Sequence, residues 1–159
     1  RLKRRLFDAH QDLSGWMLID LCAGSGAVGL EAWSRGAETV WFSEIDRGVQ
    51  RILKKNITAF TAKYPSANLM VFQHDCWQML HYFRQHYRER AILFLAPPYE
   101  RHEIYRGVLS LLDSAWFRGE LWIESDEQKG IGMQELTKLR PNVKKTYQQG
   151  TTFMVIYEY

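Results

Sequence analysis

Residues 20–29 read Asp-Leu-Cys-Ala-Gly-Ser-Gly-Ala-Val-Gly, and they join a short apolar run at residues 16–21 to a stretch with helical spacing. Gly24 and Gly26 let the backbone turn tightly and approach a ligand that a Cβ atom would block. N–H groups at the start of the following helix point across the carboxyl edge of the sheet, the expected ligand crevice of an open parallel sheet. This stretch therefore predicts a strand, a glycine loop and a helix that together bind a ligand.

The glycine loop is compatible with two ligands. Gly24, Gly26 and Gly29 match the pattern GxGxxG, which makes a dinucleotide-binding (NAD) oxidoreductase one interpretation. Asp20, however, stands at the strand end, four residues ahead of the first glycine. A carboxylate at that position can accept from the ammonium of a methionine moiety, whereas it would repel a pyrophosphate. The spacing D-x-x-x-G-x-G therefore favours S-adenosylmethionine as the cofactor.

Two further acids follow the next two predicted strands. Glu44 comes twenty residues after Gly24, where a carboxylate can bind both hydroxyls of a ribose; the alternative is a surface acid paired with Arg47. Asp75 either accepts from an adenine amino group or only caps a helix. Together with Asp20 these acids indicate a nucleoside with a cationic tail. The predicted cofactor site comprises Asp20, Cys22, Ala23, Gly24, Ser25, Gly26, Glu44, Ile45, Asp75 and Cys76.

A second motif, Ala96-Pro97-Pro98-Tyr99, follows an apolar strand predicted at residues 91–95. Its prolines fix φ and remove backbone donors, which gives a rigid loop with outward-facing carbonyls, and the tyrosine can stack on an unstacked base. The motif resembles the (D/N/S)-Pro-Pro-(Tyr/Phe) loop of methyltransferases that modify exocyclic amines; the alternative is a proline-rich strand cap. The resemblance implies that an acceptor side chain and the first proline's carbonyl hold the amine. Because position 96 is alanine, only the Pro97 carbonyl would remain to receive the amine proton.

The remaining sequence alternates apolar strands with amphipathic helices. Strands are predicted at residues 16–21, 39–43, 69–72, 91–95 and 120–124, helices at 27–34, 47–63, 77–87 and 104–113, and two closing strands at 144–147 and 152–157. This alternation predicts βαβ units with right-handed crossovers, hence an α/β fold with a mostly parallel sheet and helices on both faces. The closing pair predicts a C-terminal antiparallel hairpin at one edge, an ending that resembles Rossmann-like methyltransferases.

Composition agrees with one globular domain. The chain has 159 residues, of which 46% are hydrophobic and 14% aromatic, so disorder is not expected. It contains no apolar run of about 18 residues and no signal-like stretch, so we expect a soluble, cytoplasmic protein without a membrane partner. The net charge of +3 permits a nucleic-acid partner without requiring one. Cys22 and Cys76 form no CxxC or Cys/His cluster; we interpret them as buried thiols of a reducing compartment and predict no metal site.

With these motifs, the sequence resembles the RsmD type of bacterial 16S ribosomal RNA (guanine-N2)-methyltransferase over nearly its whole length. The similar segments are the first motif and its helix at residues 20–37, the second-strand acid motif at 43–47, the catalytic loop at 96–99 and the fifth strand at 122–125. The first of these is the most specific, because methyltransferases in general share only its glycines.

The resemblance implies a seven-stranded, Rossmann-like class I S-adenosylmethionine-dependent methyltransferase fold, with residues 1–159 forming one methyltransferase domain. It implies methyl transfer to a guanine N2 in small-subunit rRNA, free or within an assembled or partly assembled subunit, by a monomer. Family members carry a β-hairpin ahead of the first helix, and we expect this sequence to start after it. By position the resemblance assigns Asp20, Gly24, Gly26, Glu44 and Asp75 to the cofactor, and Pro97, Pro98 and Tyr99 to the target base.

One departure from the family pattern leaves alternatives open. Ala96 replaces the family's aspartate, so a catalytically weak or silent relative that binds S-adenosylmethionine and RNA is the second interpretation. A DNA adenine-N6 methyltransferase is the third, since that chemistry uses the same loop. The sequence contains no separate target-recognition domain, which makes this third interpretation weaker.

Overall fold

A computed structural model describes residues 2–86 and 90–159. Tyr87, which the sequence pattern assigns to the end of the fourth helix, lies outside the described residues, as do Arg1, Arg88 and Glu89. The helices are α1 (Leu2–Ala9), α2 (Ala27–Ser34), α3 (Arg47–Lys63), α4 (Cys76–His86), α5 (His102–Leu112) and α6 (Met133–Leu139). The strands are β1 (Trp16–Asp20), β2 (Thr39–Ser43), β3 (Leu69–Phe72), β4 (Arg90–Leu95), β5 (Gly119–Asp126), β6 (Lys145–Gln149) and β7 (Thr152–Glu158).

The described strands form one sheet in the order β3-β2-β1-β4-β5-β7-β6. The first five in this order run parallel, and β7 pairs antiparallel with both β5 and β6. The expected mostly parallel sheet with a closing antiparallel hairpin is confirmed. Because β1 lies between β2 and β4, the strand order reverses beside it, and a crevice opens at the carboxyl ends of β1 and β4.

Side chains of the central strands alternate between two buried clusters on opposite faces of the sheet. On β4, Leu93 belongs to a cluster that contains Tyr105 of α5, whereas Phe94 belongs to one that contains Leu6 of α1 and Trp122 of β5. Burial of each large apolar side chain contributes about 1.5–3 kcal/mol to stability. Coverage of both faces explains why β4 appears in the sequence as a continuous apolar run.

Helix α2 packs closely against β2 because its third residue is Gly29. A Cβ atom at Gly29 would stand 2.3 Å from Cε2 of Phe42 on β2. The third glycine of the loop motif is thus a packing residue, and the close approach fixes the start of α2 beside the crevice.

Two regions differ from the sequence-based expectation. Helix α6 is not predicted, since it has only seven residues and one of them, Leu136, is buried. Strand β5 extends beyond residue 124 to Asp126, although its last two residues are polar. Ser125 Oγ donates to the Ile131 carbonyl over 2.7 Å, and Asp126 accepts from the Lys129 N–H over 3.0 Å, so local partners satisfy both polar groups. Within residues 2–86 and 90–159, no helix is long and apolar enough to cross a lipid bilayer.

Candidate cofactor and target-base cleft

A cleft of about 660 Å³ lies at the carboxyl ends of the parallel strands. Predicted site residues from several separate segments of the chain meet in its wall. Those that line it are Cys22, Gly24, Glu44, Ile45, Asp75, Cys76, Ala96, Pro97, Pro98 and Tyr99. The topology therefore brings the glycine loop, the two later acids and the proline loop to one place.

The two loop glycines have different surroundings. Both have positive φ, +56° at Gly24 and +89° at Gly26. A Cβ atom at Gly26 would lie 2.6 Å from Cδ1 of Leu53, so this glycine permits close packing against α3. A Cβ atom at Gly24 would have no neighbour within 4 Å, and Gly24 lines the cleft. At Gly24 the backbone itself therefore borders the cleft.

Four predicted residues do not line the cleft. Asp20 is 1% exposed and accepts from the Cys22 N–H over 3.3 Å; burial raises the pKa of its carboxyl to about 7. Ala23 donates its N–H to the Ser43 carbonyl over 2.9 Å, and the Ser25 carbonyl accepts from Asn56 over 2.9 Å. Gly26, like Asp20 and Ala23, is buried, whereas Ser25 is exposed, and the structure brings none of the four into the wall.

Glu44 links the end of β2 to the glycine loop. One carboxylate oxygen accepts from the Gly24 N–H over 2.9 Å, and the other accepts from the Asp46 N–H over 3.1 Å. The alternative partner considered from the sequence, Arg47, forms no ion pair with Glu44. Ile45 beside it is 56% exposed and lines the cleft, so a half-buried carboxylate and an apolar surface stand side by side.

Asp75 caps helix α4 and also faces the cleft. Its Oδ1 accepts from the Gln78 N–H over 2.8 Å, and Gln78 Oε1 accepts from the Asp75 N–H over 2.9 Å. This reciprocal pair is a capping box, so the helix-cap interpretation of Asp75 is correct. A carboxylate has further lone pairs, and the residue's place in the wall leaves it able to accept from a ligand as well.

The two cysteines, far apart in the sequence, both line the cleft. Burial raises the pKa of the Cys22 thiol, and it raises that of the Cys76 thiol to about 11. Both thiols are therefore protonated at neutral pH and are poor nucleophiles. Cys22 is half-buried rather than fully buried as expected, because its side chain borders the cavity.

One carbonyl of the proline loop accepts no hydrogen bond from the described part of the chain. The Pro98 carbonyl accepts from the Arg101 N–H over 2.9 Å, whereas no group in residues 2–86 and 90–159 donates to the Pro97 carbonyl. Ala96 is half-buried and packs against the apolar cluster behind β4. Burial, and after it the charge of Glu124, raise the pKa of the half-buried Tyr99 hydroxyl. The loop can thus offer a free carbonyl and a neutral aromatic ring to a ligand.

Several residues of the wall were not predicted. Ser43 donates its hydroxyl to the His74 carbonyl over 2.7 Å, which holds the loop after β3 against the end of β2. Arg101 pairs with Glu103 over 2.9 Å at the rim. Glu124 lines the cleft from β5, and the available signal was an acid inside an apolar strand. Among the described residues, no group of three or more His, Cys, Asp or Glu side chains could hold a metal ion.

The chain matches one protein-family model over nearly its whole length. The model of the family described as "Conserved hypothetical protein 95" matches residues 1–158. The chain belongs to this family. Ribosomal RNA small subunit methyltransferase D of Escherichia coli K12 is 32% identical over 118 residues, which are 71% of this chain and 54% of that protein. A candidate rRNA methyltransferase of Bacillus subtilis 168, YlbH, is 28% identical over 142 residues, or 88% of this chain and 74% of that protein.

These relatives confirm the expected resemblance to the RsmD type. The chain spans about half the length of the Escherichia coli family relative, 54%. Solved structures of similar fold include yhhF, a candidate methyltransferase from Escherichia coli, with a TM-score of 0.74 and 24% identity over 99% of this chain and 85% of that chain.

Ribosomal protein L11 methylase from Lactobacillus delbrueckii subsp. bulgaricus has a TM-score of 0.69 and 12% identity, covering 98% of this chain and 77% of that one. A candidate methyltransferase complexed with SAH, SMU.776, has a TM-score of 0.72 and 12% identity, covering 98% of this chain and 49% of that one. Together these likenesses confirm the predicted fold, that of the Rossmann-like, seven-stranded class I S-adenosylmethionine-dependent methyltransferases.

Proposed function

We propose that this domain transfers a methyl group from S-adenosylmethionine to the exocyclic N2 of a guanine in small-subunit (16S) ribosomal RNA. The observation that carries the proposal is the single cleft that joins the glycine loop and Glu44 to the Pro97-Pro98-Tyr99 loop. The names of the Escherichia coli and Bacillus subtilis relatives support rRNA as the substrate class. The substrate is rRNA, free or in a partly or fully assembled subunit, and the domain acts as a monomer.

The residues at one end of the cleft fit a nucleoside with a methionine tail. The open space in front of Gly24 admits a ligand close to the backbone, and the Glu44 carboxylate can accept from ribose hydroxyls. The exposed side chain of Ile45 can cover one face of an adenine, and Asp75 can accept from its amino group. When bound, S-adenosylmethionine supplies a methyl group activated by the positive charge on its sulfur.

The residues at the other end fit a base that has left its stack. Tyr99 presents an aromatic ring on which a base can stack, and such stacking is worth about 1–3 kcal/mol per base. The Pro97 carbonyl can accept from the exocyclic amine, and the two prolines hold that carbonyl in place because their φ angles are fixed. Catalysis by this chain then consists of positioning the amine and excluding water from it.

Methyl incorporation tests the proposal directly. The chain is incubated with tritiated S-adenosylmethionine and small ribosomal subunits, or their 16S rRNA, from a bacterial strain lacking its own member of this family. We expect incorporation into RNA, and mass spectrometry of the digested nucleosides should identify N2-methylguanosine. N6-methyladenosine in DNA, with no RNA product, would instead support the adenine methyltransferase interpretation. Failure to incorporate methyl groups into any of these substrates would contradict the proposal.

A catalytically silent relative is the second candidate, and Ala96 is the observation that favours it. Loss of one polar contact to the reacting group commonly lowers rates by about a hundredfold or more. Both candidates should bind SAH in calorimetry, and the methyl-incorporation assay distinguishes them, because only the enzyme gives a methylated product. Binding of SAH and of rRNA without any product would favour the silent relative.

A further inference from the structure

Glu124 stands next to the position where the proline loop lacks an acceptor. In the parallel register of β4 and β5, Phe94 is opposite Trp122 and Leu95 is opposite Ile123. Ala96 and Glu124 are the next residue on each side, just beyond the last pair of this register. Phe94, Trp122 and Ala96 all contact the same buried cluster. Since side chains alternate along a strand, Glu124 leaves the sheet on the face of Trp122, the face that Ala96 shares. Both residues line the cleft.

The Glu124 carboxylate lacks a hydrogen-bond donor. Its side chain is 13% exposed and forms an ion pair with the exposed Lys3, whose Nζ lies 3.8 Å from Oε1, longer than a hydrogen bond. Within residues 2–86 and 90–159, no N–H or O–H group hydrogen-bonds either carboxylate oxygen. A carboxylate held only by this ion pair keeps the lone pairs of both oxygens available to accept hydrogen bonds. A ligand that brings an N–H group into the cleft would supply a donor.

The position of Glu124 favours the target base over the cofactor as this ligand. The predicted cofactor residues Gly24, Glu44 and Asp75 follow β1, β2 and β3, whereas Glu124 is on β5, on the far side of β4. The proline loop that carries Tyr99 follows β4, the strand that pairs with β5. The backbone of Glu124 is held in place, because the buried Tyr105 hydroxyl donates to the Glu124 carbonyl over 2.8 Å.

We propose that the Glu124 carboxylate replaces the acceptor missing at Ala96 and, together with the Pro97 carbonyl, holds the exocyclic amine of the target base. This inference rests on the proposed methyl transfer. In that reaction the amine lone pair forms the new N–C bond, and the C–S bonding pair returns to sulfur as a thioether. The nitrogen then carries a positive charge and loses one proton, which passes to the Glu124 carboxylate and from there to water.

The variant Glu124→Gln tests this assignment, with Glu120→Gln as the matched control. Glu120 is a buried glutamate on the same strand, but it bonds Lys144 and Trp122 away from the cleft. On small subunits lacking the family's methyl group, we expect Glu124→Gln to lower kcat about a hundredfold. Its affinity for SAH by calorimetry should stay within about threefold, a small effect on the scale of tenfold per 1.4 kcal/mol. Glu120→Gln should leave kcat within the same narrow range.

Two further variants separate an acceptor from a structural residue. Ala96→Asp in the Glu124→Gln background restores a carboxylate to the same place, so we expect kcat to recover to within about tenfold of the unmodified chain. Should Glu124→Gln fail to fold, Glu124→Asp keeps a carboxylate, and its kcat should fall less than that of Glu124→Ala.

Each contrary outcome has a distinct meaning. An active chain whose kcat is unchanged in Glu124→Gln would leave the proposed function standing and overturn the role of Glu124. A loss of SAH affinity as large as the loss of rate would place Glu124 against the cofactor and overturn it too. A large gain of rate in Ala96→Asp alone would mean that the acceptor is absent. If neither the unmodified chain nor Ala96→Asp methylates RNA or subunits, the proposed function and this inference fail together.

Discussion

The two halves of the cleft differ in how their polar groups are satisfied. At the ends of β1, β2 and β3 the acidic side chains accept hydrogen bonds from the protein itself, whereas at the ends of β4 and β5 two acceptors that line the cleft have no donor. Glu44 accepts from Gly24 and Asp46, and Asp75 exchanges hydrogen bonds with Gln78. In the described part of the chain, the Pro97 carbonyl and the Glu124 carboxylate accept none. The first half is therefore held by its own hydrogen bonds, whereas the second has acceptors available for a substrate. Changes in the first half should alter cofactor affinity, and changes in the second should alter rate.

Tyr99→Ala should give the largest effect among variants that test this division. Loss of a stacking surface worth about 1–3 kcal/mol should lower kcat/KM on small subunits by up to about a hundredfold, while SAH affinity stays nearly constant. Steady-state kinetics and calorimetry measure the two quantities. Tyr64→Ala is the control, because Tyr64 is also partly exposed and packs on Trp33, away from the cleft. An equally large loss of SAH affinity in Tyr99→Ala would contradict the assignment of Tyr99 to the target base alone.

Glu44→Ala should give the converse result. It removes a carboxylate that binds two loop N–H groups and, in our proposal, the ribose, and hydrogen bonds to a charged group are worth about 1.5–3 kcal/mol. We expect SAH to bind roughly thirtyfold more weakly, with kcat at saturating cofactor nearly unchanged. Glu38→Ala is the matched control, since Glu38 also accepts from a glycine N–H, that of Gly15 over 3.2 Å, outside the cleft. An unchanged SAH affinity in Glu44→Ala would contradict the assignment.

Gly24→Ala should have a smaller effect of the same kind. Gly24 and Gly150 have similar φ, +56° and +61°, and a Cβ atom at either would have no neighbour within 4 Å. Backbone strain should therefore be comparable in Gly24→Ala and Gly150→Ala, but only the first methyl group would enter the cleft. We expect about a tenfold loss of SAH affinity for Gly24→Ala and none for Gly150→Ala, measured by calorimetry. Equal affinities would mean that the cofactor does not approach this backbone.

The sequence predicts the fold well because its signals are local. Periodicity identifies β2, α2 and α3 with their observed bounds, and the closing turn at Gly150 identifies the hairpin. Helix α6 cannot be predicted in this way, because a seven-residue helix with one buried side chain shows no repeat of apolar residues. For the site, glycine spacing and acids at strand ends bring most of the wall together, since the carboxyl ends of parallel strands share one edge.

The positions of two residues, Glu124 and Asp20, could not be predicted from the sequence. Glu124 lies in the cleft because β5 pairs with β4. A local sequence pattern does not indicate which strands are neighbours in the sheet. Asp20 has the spacing of a ligand-binding acid, yet the structure buries it beneath the loop, where it accepts from the Cys22 N–H. Burial depends on how α1 and the glycine loop close over β1, which the spacing of the motif does not encode.

The burial of Asp20 leads us to a prediction about stability rather than about rate. Burial raises the pKa of its carboxyl from 3.8 to about 7 in the folded chain. Between pH 4 and pH 7 the folded state therefore binds more protons at this group than the unfolded state does. The group's contribution to stability is then largest near pH 4 and falls as the pH rises to about 7. Because Asp20→Asn keeps the acceptor oxygen but cannot ionise, its Tm should rise relative to that of the unmodified chain over this range. A difference in Tm that stays constant with pH would mean that the Asp20 carboxyl is ionised throughout, and that Lys3, the nearest cation acting on it, outweighs the cost of burial.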